Sequence, residues 1–200
     1  MRSTFIKPPP ARRGRAVAIV TAATVVATLA SCVVISRGDE LRPPSAATSD
    51  GATLDETDGY VESGESISPF ADELPALANL DPALRQAMQA AATDAIDDGF
   101  TFVVTSGWRS ERYQQSLFDD AVRDYGGAEE ASRHVAPATI STHVTGNAVD
   151  IGFTDANSWL SQHGADYGLC QTFANEMWHY ELATTPGGEC PPQLPDSSYR

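Results

Sequence analysis

Between Ser141 and Asp150 the chain reads Ser-Thr-His-Val-Thr-Gly-Asn-Ala-Val-Asp, which sets an imidazole, His143, seven residues before a carboxylate, Asp150. Both are zinc ligands by type, and a catalytic zinc site takes three protein ligands while keeping a fourth position open for water. A third donor stands downstream in Asn175-Glu176-Met177-Trp178-His179-Tyr180-Glu181, where His179 completes the set. Glu176, three residues before it, is of the type that takes a proton from an activated water and passes it on. One zinc ion per chain and metal-assisted hydrolysis are the chemistry such a group would serve. A His–Asp pair at this spacing says little alone, so its weight depends on what positions it.

The surrounding elements are readable from periodicity and punctuation. Asp81-Pro82 opens a helix, with Asp as N-cap and Pro in the first turn. Leu84, Met88, Ala91, Ala92 and Ala95 then recur at helical spacing until Gly99. Phe100 to Thr105 is β-prone and delivers Arg109 just beyond its end. Ser110 caps a second helix, with Tyr113, Leu117, Ala121 and Tyr125 on one face before Gly126-Gly127, and a third helix is expected over 128–134. Gly146 permits a close turn behind His143, and Asn147 to Gly152 alternates as a strand bearing Asp150. Asp155 starts a helix with Trp159 and Leu160, stopped by Gly164, and Tyr167 to Cys170 leads into a strand carrying Met177 to Leu182.

Short helices around a small central antiparallel sheet make this an α+β domain over 67–200. His134 and His163 fall at expected helix ends, where an imidazole meets the helix dipole favourably, and are expected to be structural or exposed. Trp108, Trp178 and Tyr180 are expected to pack around the site. Glu181 fits two readings, a partner behind a metal-bound histidine or plain strand surface.

Charge is divided sharply along the chain. All 27 acidic residues lie at or after Asp39, while six of the 13 basic ones fall within the first 37 positions. The remainder sets seven arginines against 27 acids, which disfavours nucleic acid as a partner. Residues 1–15 are basic and proline-rich, and Ala16 to Ile35 is a twenty-residue uncharged run, long enough to cross a bilayer as a helix. Arginines before that run predict a cytoplasmic N-terminus and a domain outside the membrane. Three outcomes fit the segment: an uncleaved single-pass anchor, a lipoprotein attached through Cys32 in Leu-Ala-Ser-Cys, or a cleaved signal peptide. All three export the domain, and the first two hold it at a bacterial membrane. Export makes a disulfide between Cys170 and Cys190 expected. The acidic stretch 36–66 holds few large apolar residues and reads as a disordered tether spanning on the order of 25–30 Å. A monomer is expected.

The motifs follow one another as Ser106-Gly107-Trp108-Arg109-Ser110, Tyr113-Gln114, Leu117-Phe118, Ser141-x-His143-x-x-Gly146-x-Ala148-x-Asp150, Trp159-Leu160, Tyr167-Gly168-Leu169 and Asn175-Glu176-x-Trp178-His179-Tyr180-Glu181. In that order they resemble the VanY-type D-alanyl-D-alanine carboxypeptidases, zinc peptidases related in fold to the VanX dipeptidases, lysostaphin-like enzymes and the hedgehog signalling domain. The resemblance runs from about Leu74 to Cys190 and leaves the N-terminal third outside it. It implies His143, Asp150 and His179 as zinc ligands and Glu176 as the proton carrier. It also implies that Arg109 contacts substrate and stabilises negative charge, that Ser141 lies near the substrate, and that Gln114 is a further candidate for substrate contact. The function implied is removal of the terminal D-Ala from peptidoglycan stem peptides. Two alternatives stand beside it: an L,D-carboxypeptidase acting on tetrapeptide stems, and a non-catalytic, zinc-stabilised wall-binding module. Retention of Glu176 and Arg109 argues against the last.

Overall fold

The computed structural model describes residues 48–49 and 52–200. The basic N-terminus over 1–15, the apolar run Ala16 to Ile35 and Cys32 lie outside the described residues. Among the described residues, no helix is long and apolar enough to cross a membrane.

Thr48–Ser49 (β1) and Ala52–Thr53 (β2) pair antiparallel. Packing begins immediately after them: Leu54 is buried, and a 3-10 turn over Glu56–Asp58 buries Asp58. The Asp58 carboxylate accepts from Ser110 Oγ at 2.7 Å and Arg112 Nε at 2.6 Å, and Arg112 Nη2 also pairs with it. The folded domain therefore takes in residues from Leu54 onward, upstream of the expected start at 67. An acidic run reads as a solvated tether unless a particular cation claims one of its members, and Arg112 claims Asp58.

Pro75–Ala78 (α1) is a single turn. It leads to Pro82–Asp97 (α2), whose N-cap Asp81 accepts from the N–H groups of Ala83 and Leu84 at 2.8 and 3.2 Å. The stripe Leu84, Met88, Ala91, Ala92 and Ala95 is buried throughout. Val103–Ser106 (β3) follows, then Glu111–Tyr125 (α3), capped by Ser110 and closed by Gly126 in the left-handed conformation. Ala128–Ala131 (α4) is one turn only, because the N–H groups of His134 and Val135 both fold back to the Ala131 carbonyl. His134 therefore lies past the helix. Val149–Gly152 (β4) and Thr154–His163 (α5) come next.

The expected strand over Met177 to Leu182 forms from His179, and the lead-in before it is a strand of its own: Leu169–Gln171 (β5) pairs antiparallel with His179–Leu182 (β6). Between them the chain leaves the sheet and turns, with the His179 N–H bonding to the Glu176 carbonyl at 3.1 Å. Glu176, Met177 and Trp178 consequently sit on a connecting loop. Met177 and Trp178 are exposed, so Trp178 is not the packing residue its type suggested.

The sheet runs β3-β4-β6-β5, antiparallel at every junction. One core cluster joins Leu77, Leu80 and the α2 stripe to Val104, Val149, Ile151 and Tyr180 of the sheet and to Ala156, Trp159 and Leu160 of α5. Each large apolar side chain buried there stabilises the fold by about 1.5–3 kcal/mol. Strand alternation sends Tyr180 into this core, so His179 and Glu181 project from the opposite face. That face carries the site.

Candidate metal centre

Sheet register brings two of the three expected ligands together, since Asp150 of β4 and His179 of β6 are direct cross-strand partners. His143 arrives from the loop before β4. Gly146 turns that loop with φ at 73°, and a Cβ there would lie 2.3 Å from the Asn79 carbonyl oxygen. Its own carbonyl accepts the Asp81 N–H at 2.8 Å, which seats the loop against the start of α2. Gly107 makes a similar close approach to the Ala76 carbonyl, and its carbonyl oxygen lies 2.7 Å from His143 Nδ1.

These contacts fix which nitrogen of each ring faces inward. A carbonyl can only accept, so His143 Nδ1 carries a proton and Nε2 presents its lone pair. His179 Nε2 lies 2.8 Å from Glu181 Oε1 and donates to it, leaving Nδ1 facing inward. His143 Nε2 and His179 Nδ1 are 3.2 Å apart, and Asp150 Oδ1 lies 3.4 and 3.3 Å from them. Donor atoms of all three residues fall within 4.8 Å of one another.

Three lone-pair atoms so placed repel one another unless a cation sits among them. Asp150 Oδ1 is buried and makes no hydrogen bond, an orphan that calls for such a partner. The protonation equilibria show the same pull. Burial disfavours a charged His179, but the negative Asp150 and Glu181 carboxylates beside it outweigh that and raise the imidazole to about 9. Burial likewise opposes a charged Asp150, yet the flanking His143, His179 and Arg109 hold its carboxyl well below the usual range. His143 is kept neutral by burial and by Arg109. Two imidazoles and one carboxylate converging in this way fit a zinc ion.

Glu176 Oε2 stands 3.7 Å from His179 Nδ1, beside the cluster but outside the three converging atoms. Burial pushes its carboxyl up to about 7. Arg109 reaches the cluster through Asp150: Nη2 donates to Asp150 Oδ2 at 2.8 Å, Nη1 to Gln114 Oε1 at 2.9 Å and Nε to Ser106 Oγ at 2.8 Å. Gln114 is fully buried, and its amide nitrogen donates to the Ala136 carbonyl at 2.7 Å. Gln114 braces Arg109 and also lines the cleft, where the sequence suggested a substrate contact. Ser141 is buried in the wall of the cleft.

The cleft over the cluster encloses about 180 Å³, with Arg109, Glu176, Trp178 and Ile140 among its lining residues. A second hollow shares Arg109, Leu117, Asp150 and Trp178 with it and extends along residues 60–66. His134 also lines the cleft, stacked on Tyr125 with ring centroids 4.1 Å apart, while His163 packs on Trp159. Trp108 packs as expected, its indole N–H on the Val144 carbonyl at 3.1 Å.

Glu181 is resolved in favour of the partner reading, since it is buried and accepts from His179, Thr142 and Arg200. Sequence reasoning missed Ser106 and Thr142 as braces, although Ser106 stands in a motif and Thr142 lies between Ser141 and His143. It also missed the Gly107 carbonyl and Arg200, for which no local pattern exists. Cys170 and Cys190 form a disulfide with Cα atoms 5.7 Å apart.

Solved structures of known peptidases resemble parts of the chain. VanYB in complex with D-alanine-D-alanine is 25% identical, over 51% of this chain and 70% of that one, with a TM-score of 0.48. The LdcB L,D-carboxypeptidase is 22% identical over 54% of this chain and 60% of its own, with a TM-score of 0.47. DacB from Streptococcus pneumoniae is 27% identical over 52% of this chain and 66% of its own, with a TM-score of 0.43. The chain thus spans less than two thirds of the LdcB and DacB structures. No curated protein matches it in sequence. Residues 77–185, more than half of the chain and the stretch that holds every ligand and brace from Leu77 to Glu181, match the model of the VanY family, D-alanyl-D-alanine carboxypeptidase, and the protein belongs to that family.

Proposed function

We propose that the domain is a zinc-dependent D,D-carboxypeptidase that removes the terminal D-Ala from peptidoglycan stem peptides. The observation that carries this reading is the convergence of His143 Nε2, Asp150 Oδ1 and His179 Nδ1 around an unpartnered carboxylate oxygen, with a further carboxylate standing alongside. A zinc ion held by these three would polarise a water and the scissile carbonyl.

The chain's own groups carry the remaining work. Glu176 takes the proton of the attacking water and returns it to the leaving amine as the peptide C–N bond breaks. Arg109 holds Asp150 in position through one Nη2 hydrogen. Each of its terminal nitrogens bears two hydrogens and has committed one, so donors remain for the carboxylate of the substrate or the charge that develops on the carbonyl oxygen. Ser141 and Trp178 shape the walls of the cleft. Export to an oxidising compartment belongs to the same proposal, because the Cys170–Cys190 disulfide suits one. Anchoring through Ala16 to Ile35, or through Cys32, is proposed from sequence.

The test is the full-length chain loaded with zinc and incubated separately with penta- and tetrapeptide stems. Release of D-Ala from the pentapeptide is the expected result. Release from the tetrapeptide alone would make the enzyme an L,D-carboxypeptidase, and release from neither would refute the catalytic reading.

A further inference from the structure

The segment after the disulfide lies outside the family match, yet it returns to the metal cluster. Cys190 fastens its start to β5 through the disulfide. Leu194 bridges Phe173, with its N–H on the Thr172 carbonyl at 2.9 Å and its carbonyl taking the Ala174 N–H at 2.8 Å. Ser197 is buried and donates to the Ser132 carbonyl at 2.6 Å. Arg200 Nη2 lies 2.5 Å from both carboxylate oxygens of Glu181, and its guanidinium sits 5.2 Å from the Phe173 ring centroid.

These last contacts reach His179 by two routes. Glu181 Oε1 accepts His179 Nε2–H, so the orientation of this carboxylate decides where the imidazole points. Phe173 packs against the same imidazole with centroids 5.0 Å apart. Arg200 bears on both partners at once. Glu181 Oε1 also accepts from Thr142 at 3.0 Å, next to His143 in the chain, so one carboxylate ties the β6 ligand to the loop that carries another.

We infer that Cys190 to Arg200 is a positioning strap for the metal centre, in which Arg200 fixes Glu181 and Phe173 against His179 so that Nδ1 faces Asp150 and His143. Arg200 lines the cleft beside the cluster, and its link to the metal ligands runs through Glu181 and Phe173. The inference rests on the zinc reading above and adds to it a determinant of metal affinity supplied from outside the family match. A histidine's outer partner typically governs metal affinity by 10–100-fold. Arg200 acts one bond further out, so a factor near the lower end is expected.

The test uses the full chain and zinc alone. Zinc affinity is measured by chelator competition, and the Co(II)-substituted protein is followed by its d–d absorption, which a merely structural role of the strap would leave unchanged in folded protein. Arg200→Ala is expected to bind zinc about tenfold more weakly and to shift the Co(II) bands. Arg200→Lys, which keeps a cation on Glu181, should recover most of the loss. Arg200→Met keeps apolar packing on Phe173 and gives the same readout if the alanine variant does not fold. Parent-like affinity and spectrum in the alanine or methionine variant overturn the strap, as does a loss that lysine leaves unrepaired. Failure of the parent to bind zinc is a different result and overturns the metal reading itself.

Discussion

Replacing Glu176 with glutamine separates catalyst from ligand. The substitution keeps size and shape and removes the ability to accept a proton. Oε2 lies 3.7 Å from His179 Nδ1, beyond hydrogen-bonding reach, and Glu176 contributes nothing to the three atoms that converge on the cation position. Zinc content should therefore stay near one per chain. A positioned acid–base group contributes about 10²–10⁴-fold, or roughly 3–6 kcal/mol of barrier at about 1.4 kcal/mol per tenfold. D-Ala release from a pentapeptide stem should fall by that factor. His179→Ala should do the reverse and lose the metal, because a site built for three protein ligands is left with two. The assay is zinc by elemental analysis beside D-Ala release on the same samples. Undiminished cleavage by Glu176→Gln refutes its role as proton carrier, and loss of zinc from that variant would make it a ligand instead.

Asp58→Ala should destabilise the domain by about 2–3 kcal/mol, since hydrogen bonds to a charged group contribute about 1.5–3 kcal/mol and Arg112, with 39% of its side chain exposed, regains water. Burial works against the Asp58 carboxylate, but Arg112 and Ser110 outweigh it and hold its carboxyl below the ordinary 3.8. Its contribution is thus complete above that value and lost as pH falls through the lower folded one, so denaturation curves of parent and variant should converge in acid. Gly146→Ala forces a side chain into the left-handed region and against the Asn79 carbonyl, and thermal melting should register a loss of about 2–4 kcal/mol. Peptide mapping without reductant should recover Cys170 and Cys190 as one linked pair, and the double serine variant should lose about 3 kcal/mol in chemical denaturation.

The sequence made α2 and α3 legible because each announces itself locally, through an Asp or Ser cap, an apolar stripe and a glycine near its end. The metal stretch was legible because ligand type is a property of single residues. Sheet geometry was not, and the region after Cys170 shows why. Tyr167 to Cys170 reads from sequence as a lead into the strand at Met177 to Leu182, and its pairing across to that strand, a contact between distant residues, is what makes it a strand of its own. The part of the acidic segment from Leu54 onward was read as tether for a related reason: composition records the charge of Asp58 but not the distant arginine that neutralises it. Arg109 and Gln114 were found as residues, but not as braces of one another and of Asp150. Their types suit a substrate as well as they suit a buried brace.

The placement of the cation site depends on strand register. Asp150 and His179 face each other only in the register Val149 to Tyr180 and Asp150 to His179. A slip of one residue would carry one of them to the other face of the sheet. That register is held by the core face, where Val149, Ile151 and Tyr180 pack with Leu84 and Met88 of α2. The bulge between Val104 and Ser106 then brings Ser106 opposite Asp150, so the chain leaves β3 next to the carboxylate that Arg109 must grip. His143 is the one ligand outside the sheet, and the Gly146 turn and the Gly107 carbonyl seat it from the α1–α2 corner and the end of β3. The apolar core and the polar cluster are therefore two faces of one pairing. Substitutions that loosen the first should show themselves in the metal affinity of the second.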